Sequence, residues 1–192
     1  EFCSYNTITQ QFTYYDWPAF AKTLSATGYS SIQKFVQKSR NEFWLGTTKG
    51  LVLLDINTKQ FKWIGAGYSS NVSGLTYDAA SGKVFLSVDE GKCFVYDDKE
   101  KIYREVFPEA EPYPSSAFVV NRYNEIWLPS ANGLLKISEA TKWSRHIAGF
   151  SESLLPGAVR SIYKDDMGLR WIGTTNGIAI YDRDRPAAFI PL

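Results

Sequence analysis

Apolar residues along the chain come in short runs, each closed by a polar cluster carrying Gly, Asn, Asp or Ser. Runs of that length between turn residues predict β-strands rather than helices. A first strand, A, falls at 31–38, 72–78, 115–122 and 159–165. Tight polar turns follow: Ser39-Arg-Asn, Ala79-Ala-Ser-Gly82, Tyr123-Asn124 and Asp166-Met-Gly168. Strand B is an aromatic-centred phrase. A glycine then turns the chain into strand C at 51–55, 92–97, 134–138 and 178–182. After a second polar turn, strand D runs at 61–64, 102–106, 143–147 and 188–191. Residues 2–5 and 11–15 repeat only the C and D half, with Asn6-Thr-Ile-Thr as their turn. Apolar and polar positions alternate imperfectly, as expected of sheets covered on both faces. Helical character is confined to Ala19–Thr27. With Pro18 before it and Gly28 after it, no more than one short helical turn is expected there.

The strand-B phrase recurs four times: Asn41-Glu-Phe-Trp-Leu-Gly-Thr-Thr-Lys-Gly50, Gly82-Lys-Val-Phe-Leu-Ser-Val-Asp-Glu-Gly91, Asn124-Glu-Ile-Trp-Leu-Pro-Ser-Ala-Asn-Gly133 and Gly168-Leu-Arg-Trp-Ile-Gly-Thr-Thr-Asn-Gly177. Its aromatic stands at 44, 85, 127 and 171, giving steps of 41, 42 and 44. A period of about 40–45 residues with four strands per repeat predicts β-propeller blades. The expected fold is all-β. One domain over 1–192 comprises a half blade (1–15) and four four-stranded antiparallel blades (31–64, 72–106, 115–147 and 159–192). Two strands plus four sets of four make eighteen. A closed four-bladed ring would leave two over, and a five-bladed one would lack two. An open arc, or part of a larger ring, is therefore expected, with self-association or further blades covering its ends.

Composition narrows the function. With 21 basic and 20 acidic residues interspersed, the net charge is +1. No basic stripe of the kind that holds nucleic acid is visible. No apolar run is long enough to span a membrane, so no membrane contact by this segment is expected. The chain starts at Glu1 within a strand pattern, without an initiator Met or a signal-like apolar region, and reads as a piece of a longer polypeptide. Cys3 and Cys93 occupy the same repeat position in different blades. Two buried, unbridged small side chains are the expectation.

Candidate chemistry is thin. His146 is the sole histidine and falls in an outer strand, away from the partner and pocket that a general base needs. One histidine and two separated cysteines do not make a zinc site. Asp165-Asp166-Met-Gly168 lacks the spaced oxygens of a calcium loop and reads as a hairpin turn. No helix follows Gly173-Thr-Thr-Asn-Gly177 to complete a phosphate cradle. No catalytic residue, metal or cofactor is expected. Trp44, Phe85, Trp127 and Trp171 recur too regularly for a ligand platform and should pack between neighbouring blades. The D–A connections vary, and loops on a rigid scaffold are where binding concentrates. Their aromatics Trp17, Tyr29, Tyr68 and Tyr113 are the candidate ligand-binding residues, with sugar rings as the ligand class.

The stretch Val159-Arg-Ser-Ile-Tyr-Lys-Asp-Asp-Met-Gly-Leu-Arg-Trp-Ile-Gly-Thr-Thr-Asn-Gly-Ile-Ala-Ile-Tyr-Asp182 resembles the two-component regulator propeller repeat, as do Phe43-Trp-Leu-Gly-Thr47 and Gly50-Leu51. The second and third repeats are degenerate, with Ser87 and Pro129 in place of the strand-B glycine. The resemblance implies a non-catalytic sensor region in the periplasmic or extracellular-facing part of an inner-membrane hybrid histidine kinase, with the kinase outside this chain. It also implies seven-bladed rings and an oligosaccharide ligand. A lectin-like propeller without a signalling partner, a propeller lyase or hydrolase, and a purely structural dimerisation module are the alternatives.

Overall fold

Three C–D turns are built by one piece of local chemistry. In the computed structural model, Asn6 Oδ1 accepts hydrogen bonds from the amides of Ile8 and Thr9 at 2.9 and 3.0 Å. Asp55 Oδ1 does the same for Asn57 and Thr58, and Asp97 Oδ1 for Lys99 and Glu100. Four residues after each acceptor the backbone turns left-handed, at Gln10 (φ 56°), Lys59 (φ 59°) and Lys101 (φ 59°). A short acceptor side chain that captures the next amides is what makes Asn and Asp turn residues. The half blade and two full blades thus share a turn whose opening residue is legible in the sequence.

The structure describes residues 2–25, 30–65, 71–89, 92–105, 119–120, 125–130, 133–138, 144–146, 159–182 and 185–191. These form eighteen strands and one helix, grouped in two compact units, residues 1–72 and 73–192. In the first unit, β1 (Phe2–Asn6) and β2 (Gln11–Tyr15) make a two-stranded antiparallel sheet. Helix α1 (Trp17–Leu24) follows. Then β3 (Ile32–Gln37), β4 (Glu42–Thr47), β5 (Gly50–Asp55) and β6 (Gln60–Trp63) form a four-stranded meander. The second unit holds three such sheets. They are β7 (Val72–Asp78) to β10 (Ile102–Glu105) through β8 (Lys83–Val88) and β9 (Cys93–Asp97); β11 (Val119–Val120) to β14 (Ser144–His146) through β12 (Glu125–Ser130) and β13 (Gly133–Ser138); and β15 (Val159–Lys164) to β18 (Arg185–Pro191) through β16 (Arg170–Thr174) and β17 (Gly177–Asp182). All four meanders keep sequence order across the sheet, as the A–D reading requires.

The helix corrects one expectation. It runs for eight residues, not one turn, and begins at Trp17. Asp16 caps it, its Oδ1 accepting from the Ala19 amide at 3.1 Å. Pro18 stands at the start, where its missing N–H costs nothing and its fixed φ suits the first turn. The proline is therefore part of the start signal. Ala21 and Trp17 are buried, and Lys22 lies in the last turn, where a cation suits the helix dipole.

The core of the first unit is the contact between the half blade and the first full blade. Tyr15, Trp17 and Ala21 pack with Leu45, Val52 and Leu54, and Phe2, Phe43 and Phe61 close its margins. The alternation of strand side chains explains the choice. Phe2 pairs across the sheet with Tyr15 and shares its face, while Cys3, Tyr5, Phe12 and Tyr14 take the other. In the first full blade Trp44 is fully buried, with Lys38 Nζ 5.1 Å from its ring centroid.

The B–C turn needs its glycine. Gly50 adopts φ 102°, closed to side chains with a Cβ, while Thr47 Oγ1 donates to the Gly50 carbonyl at 2.8 Å. Thr174 and Gly177 repeat the bond at 3.0 Å. The strand-B glycine answers to its own sheet: a Cβ on Gly173 would lie 2.5 Å from Ser161 Oγ, at the point where β15 bulges against β16.

Candidate functional site

A groove of about 430 Å³ opens in the first unit where the D–A connection meets β3. Its apolar walls are Phe2, Trp17, Ile32 and Phe35, and its polar lining is Ser30, Ser31 and Gln33. The volume falls in the range of small-ligand clefts. None of these seven residues carries a charge.

The hydrogen bonds at the groove build a braced polar rim. Trp17 donates its indole N–H to the Ser30 carbonyl at 3.0 Å, tying the helix to the start of β3. Thr48 Oγ1, from the B–C turn, lies 3.3 Å from Ser30 Oγ and accepts from the Ser31 amide at 3.1 Å. Gln33, at an exposed position, donates its Nε2 to Ser31 Oγ at 2.7 Å. Phe35 stands largely exposed, with the Phe2 ring edge-on at 6.2 Å. An aromatic face beside hydroxyl and amide groups suits a neutral, hydroxylated ring, whose C–H face stacks while its hydroxyls exchange hydrogen bonds. Among the described lining residues no group could act as a base for a serine.

Of the four candidate ligand residues, Trp17 lines this groove, but only as part of its wall. It is 6% exposed, its N–H is already used, and its ring packs against Phe20 and Phe61. Tyr29, Tyr68 and Tyr113 lie outside the described residues. The sequence reading did not single out Ser31, Gln33 and Phe35, because it assigned them to a strand. Gln33 stands where β3 shifts register against β4, and both it and Phe35 are exposed.

Among the described residues, no group of three or more His, Cys, Asp and Glu could hold a metal. The hairpin after β15 is a turn: Asp165 Oδ1 accepts from the Leu169 amide at 2.9 Å, and the Gly168 amide bonds the Asp165 carbonyl. Asp165 Oδ2 accepts from the Trp171 indole at 2.8 Å. That bond leads the causes that hold the Asp165 carboxyl below its usual range, with the Leu169, Met167 and Gly168 amides adding to it. His146 ends the outermost strand of its sheet, opposite Leu135. Both cysteines are free. Cys93 is buried, and burial pushes its thiol up to about 12. Cys3 is exposed, contrary to the expectation for both, because it shares the outward face of the half blade with Tyr5.

The phrase aromatics divide in the same way. Trp44 and Phe85 are buried, and Trp127 is 2% exposed beneath the next sheet, with the Arg170 guanidinium 4.4 Å and the Tyr181 ring 4.9 Å from its ring. Trp171 is 37% exposed, which corrects the expectation that it is buried between blades. At the same repeat position Trp127 is covered by Arg170 of β16 and Tyr181 of β17.

No protein-family model matches the chain, and no curated protein matches it. Solved structures do. Over 99% of its length the chain superposes, with a TM-score of 0.75 and 21% identity, on the extracellular domain of a protein described as a hybrid two-component system from B. thetaiotaomicron. A second such extracellular domain from the same organism gives a TM-score of 0.73 at 18% identity over 94% of the chain. The chain spans about a quarter of these proteins' domains, 25% and 24%. Virginiamycin B lyase from Staphylococcus aureus matches at a TM-score of 0.65 and 14% identity, over 85% of this chain and 56% of the enzyme. The all-β blade architecture is thus that of two-component extracellular domains, and it is shared more distantly by a lyase.

Proposed function

We propose that this chain is a non-catalytic, extracytoplasmic sensing segment of a two-component signalling protein, and that its D–A groove takes a neutral saccharide. The observation that carries the reading is the uncharged groove, with Phe35 and Phe2 beside Ser31 and Gln33. The fold of two-component extracellular domains supports the sensor role. The segment belongs to the periplasmic or extracellular-facing part of an inner-membrane protein. Among the described residues no helix is long and apolar enough to cross a membrane. Signalling then requires only that the ligand favour one of two arrangements of the sensor over the other. Catalysis by this segment is disfavoured because its sole histidine lies in an outer strand.

A thermal-shift screen of neutral and charged oligosaccharides tests this. Neutral saccharides are expected to raise the melting temperature, and His146→Ala to leave the response unchanged. Alanine at Tyr29, Tyr68 and Tyr113 tests whether the site extends over the other D–A loops. Stabilisation by acidic sugars alone, or turnover of any saccharide lost in His146→Ala, would overturn the reading. A lectin without signalling partner shares the groove and differs only in lacking a kinase in its full-length polypeptide.

A further inference from the structure

Trp63 is an exposed aromatic that the repeat does not require. It pairs across the sheet with Val52, two residues after the B–C glycine Gly50. The same register position holds His146, opposite Leu135, and Phe189, opposite Ala179. A side chain that changes from blade to blade is not dictated by blade packing, unlike the strand-B aromatic. Strand β6 follows the half blade and precedes β7, so Trp63 belongs to neither end of the chain. Phe61, two residues earlier on the same face, is covered by Trp17 at 5.4 Å and Phe20 at 5.2 Å. Trp63 lies beyond that cover and is 47% exposed. Its indole is nevertheless held twice. The N–H donates to the Lys49 carbonyl of the B–C turn at 3.2 Å. The ring lies against the backbone of Gly65, where a Cβ would stand 2.7 Å from both Cε2 and Nε1. Gly65 is not left-handed, so the close ring, and not the backbone conformation, is what calls for glycine there.

We propose that Trp63 is a stacking platform for a sugar ring, separate from the groove. The ligand class rests on the saccharide reading of the groove; the site does not, since Trp63, Gly65 and Lys49 are not among the groove's lining residues. An exposed ring that is fixed in advance binds without first losing rotamer freedom. A pyranose with equatorial hydroxyls presents flat C–H faces that suit such an indole. The other ligand of an indole face is an ammonium. Lys62, next to Trp63 in the strand, and Lys49, whose carbonyl holds the N–H, make the surroundings positive and disfavour it. One sugar ring on one indole binds with a Kd on the order of millimolar, so the site is read by NMR.

The test is titration of the isotope-labelled chain with cellohexaose, a neutral oligosaccharide whose hydroxyls are all equatorial. The Trp63 indole N–H signal, identified by its loss in Trp63→Phe, is expected to move, together with the Gly65 amide. In Trp63→Ala the Gly65 amide should no longer respond. Gly65→Ala keeps the indole but places a methyl group where the ring rests, and it should weaken the Trp63 response at least about fivefold. Far-UV circular dichroism confirms that these variants are folded. Phe35→Ala, in the groove, should leave the Trp63 response unchanged. A Trp63 signal that stays still, a Gly65 response that survives Trp63→Ala, or a folded Gly65→Ala chain that binds as the wild type does would overturn the proposal. So would a Trp63 response that disappears in Phe35→Ala, which would make the two sites one. A moving Trp63 signal with no binding at the groove would support the platform and overturn the groove reading alone.

Discussion

The indole of Trp127 meets the ring of Tyr181 edge to face, and the Arg170 guanidinium lies over the same indole at 4.4 Å. One blade's central aromatic is therefore covered by the next blade's strands B and C. A buried aromatic pair with a stacked cation adds to what area burial alone provides. Trp171, at the same repeat position, is 37% exposed, so residues with one sequence environment have two energetic roles.

Substitution should separate those roles. Trp44→Ala removes a fully buried indole and is expected to destabilise by about 3–5 kcal/mol. Trp171→Ala, at 37% exposure, should cost less than about 2 kcal/mol. Urea unfolding of both variants, measured in dilute protein, checks the difference. Equal losses would mean that Trp171 is covered in solution.

Asp165 should report the acid limit of its hairpin. Its carboxylate is held down first by the Trp171 N–H and then by backbone amides. A depressed carboxylate stabilises the fold above its unfolded value, and that contribution disappears as pH falls through the folded one. The gain should therefore be constant at neutral pH and be lost only below about pH 4. Carbon-detected NMR titration of Asp165, with Trp171 emission followed in parallel, should show one transition below the usual carboxylate range. Asp165→Asn should abolish the Trp171 emission change.

The two thiols should react at very different rates. Cys3 is exposed and Cys93 is buried with its thiol pushed up to about 12, so little thiolate is available at the second. Alkylation of the native protein, read by mass spectrometry, should label Cys3 alone, and Cys93 only in denaturant. Rapid native labelling of Cys93 would mean that the second unit opens locally.

Much of the blade was legible because its signals are local. Asn6, Asp55 and Asp97 announce the C–D turns, and Gly50 and Gly177 the B–C turns, through bonds made within a few residues. The helix was underestimated because Pro18 was weighed as a breaker, although Asp16 before it supplies the cap that makes such a proline a start. Trp171 was misjudged for a different reason. Its local phrase matches that of the fully buried Trp44, and burial is decided by packing between sheets, which no local pattern encodes. The candidate site was half legible. Of the residues named on the D–A connections, Trp17 lines the groove, but as buried wall. Gln33 and Phe35 were hidden inside an ordinary strand, because a strand's exposed face looks the same whether it meets water or a ligand.

The groove is tested most directly by calorimetric titration with the saccharide that gives the largest thermal shift. Binding at one site per chain is expected, weakened at least about tenfold in both Phe35→Ala and Gln33→Ala, two exposed positions whose replacement should leave the melting temperature nearly unchanged. Undiminished affinity in both variants, or no heat from any neutral saccharide, would contradict the account.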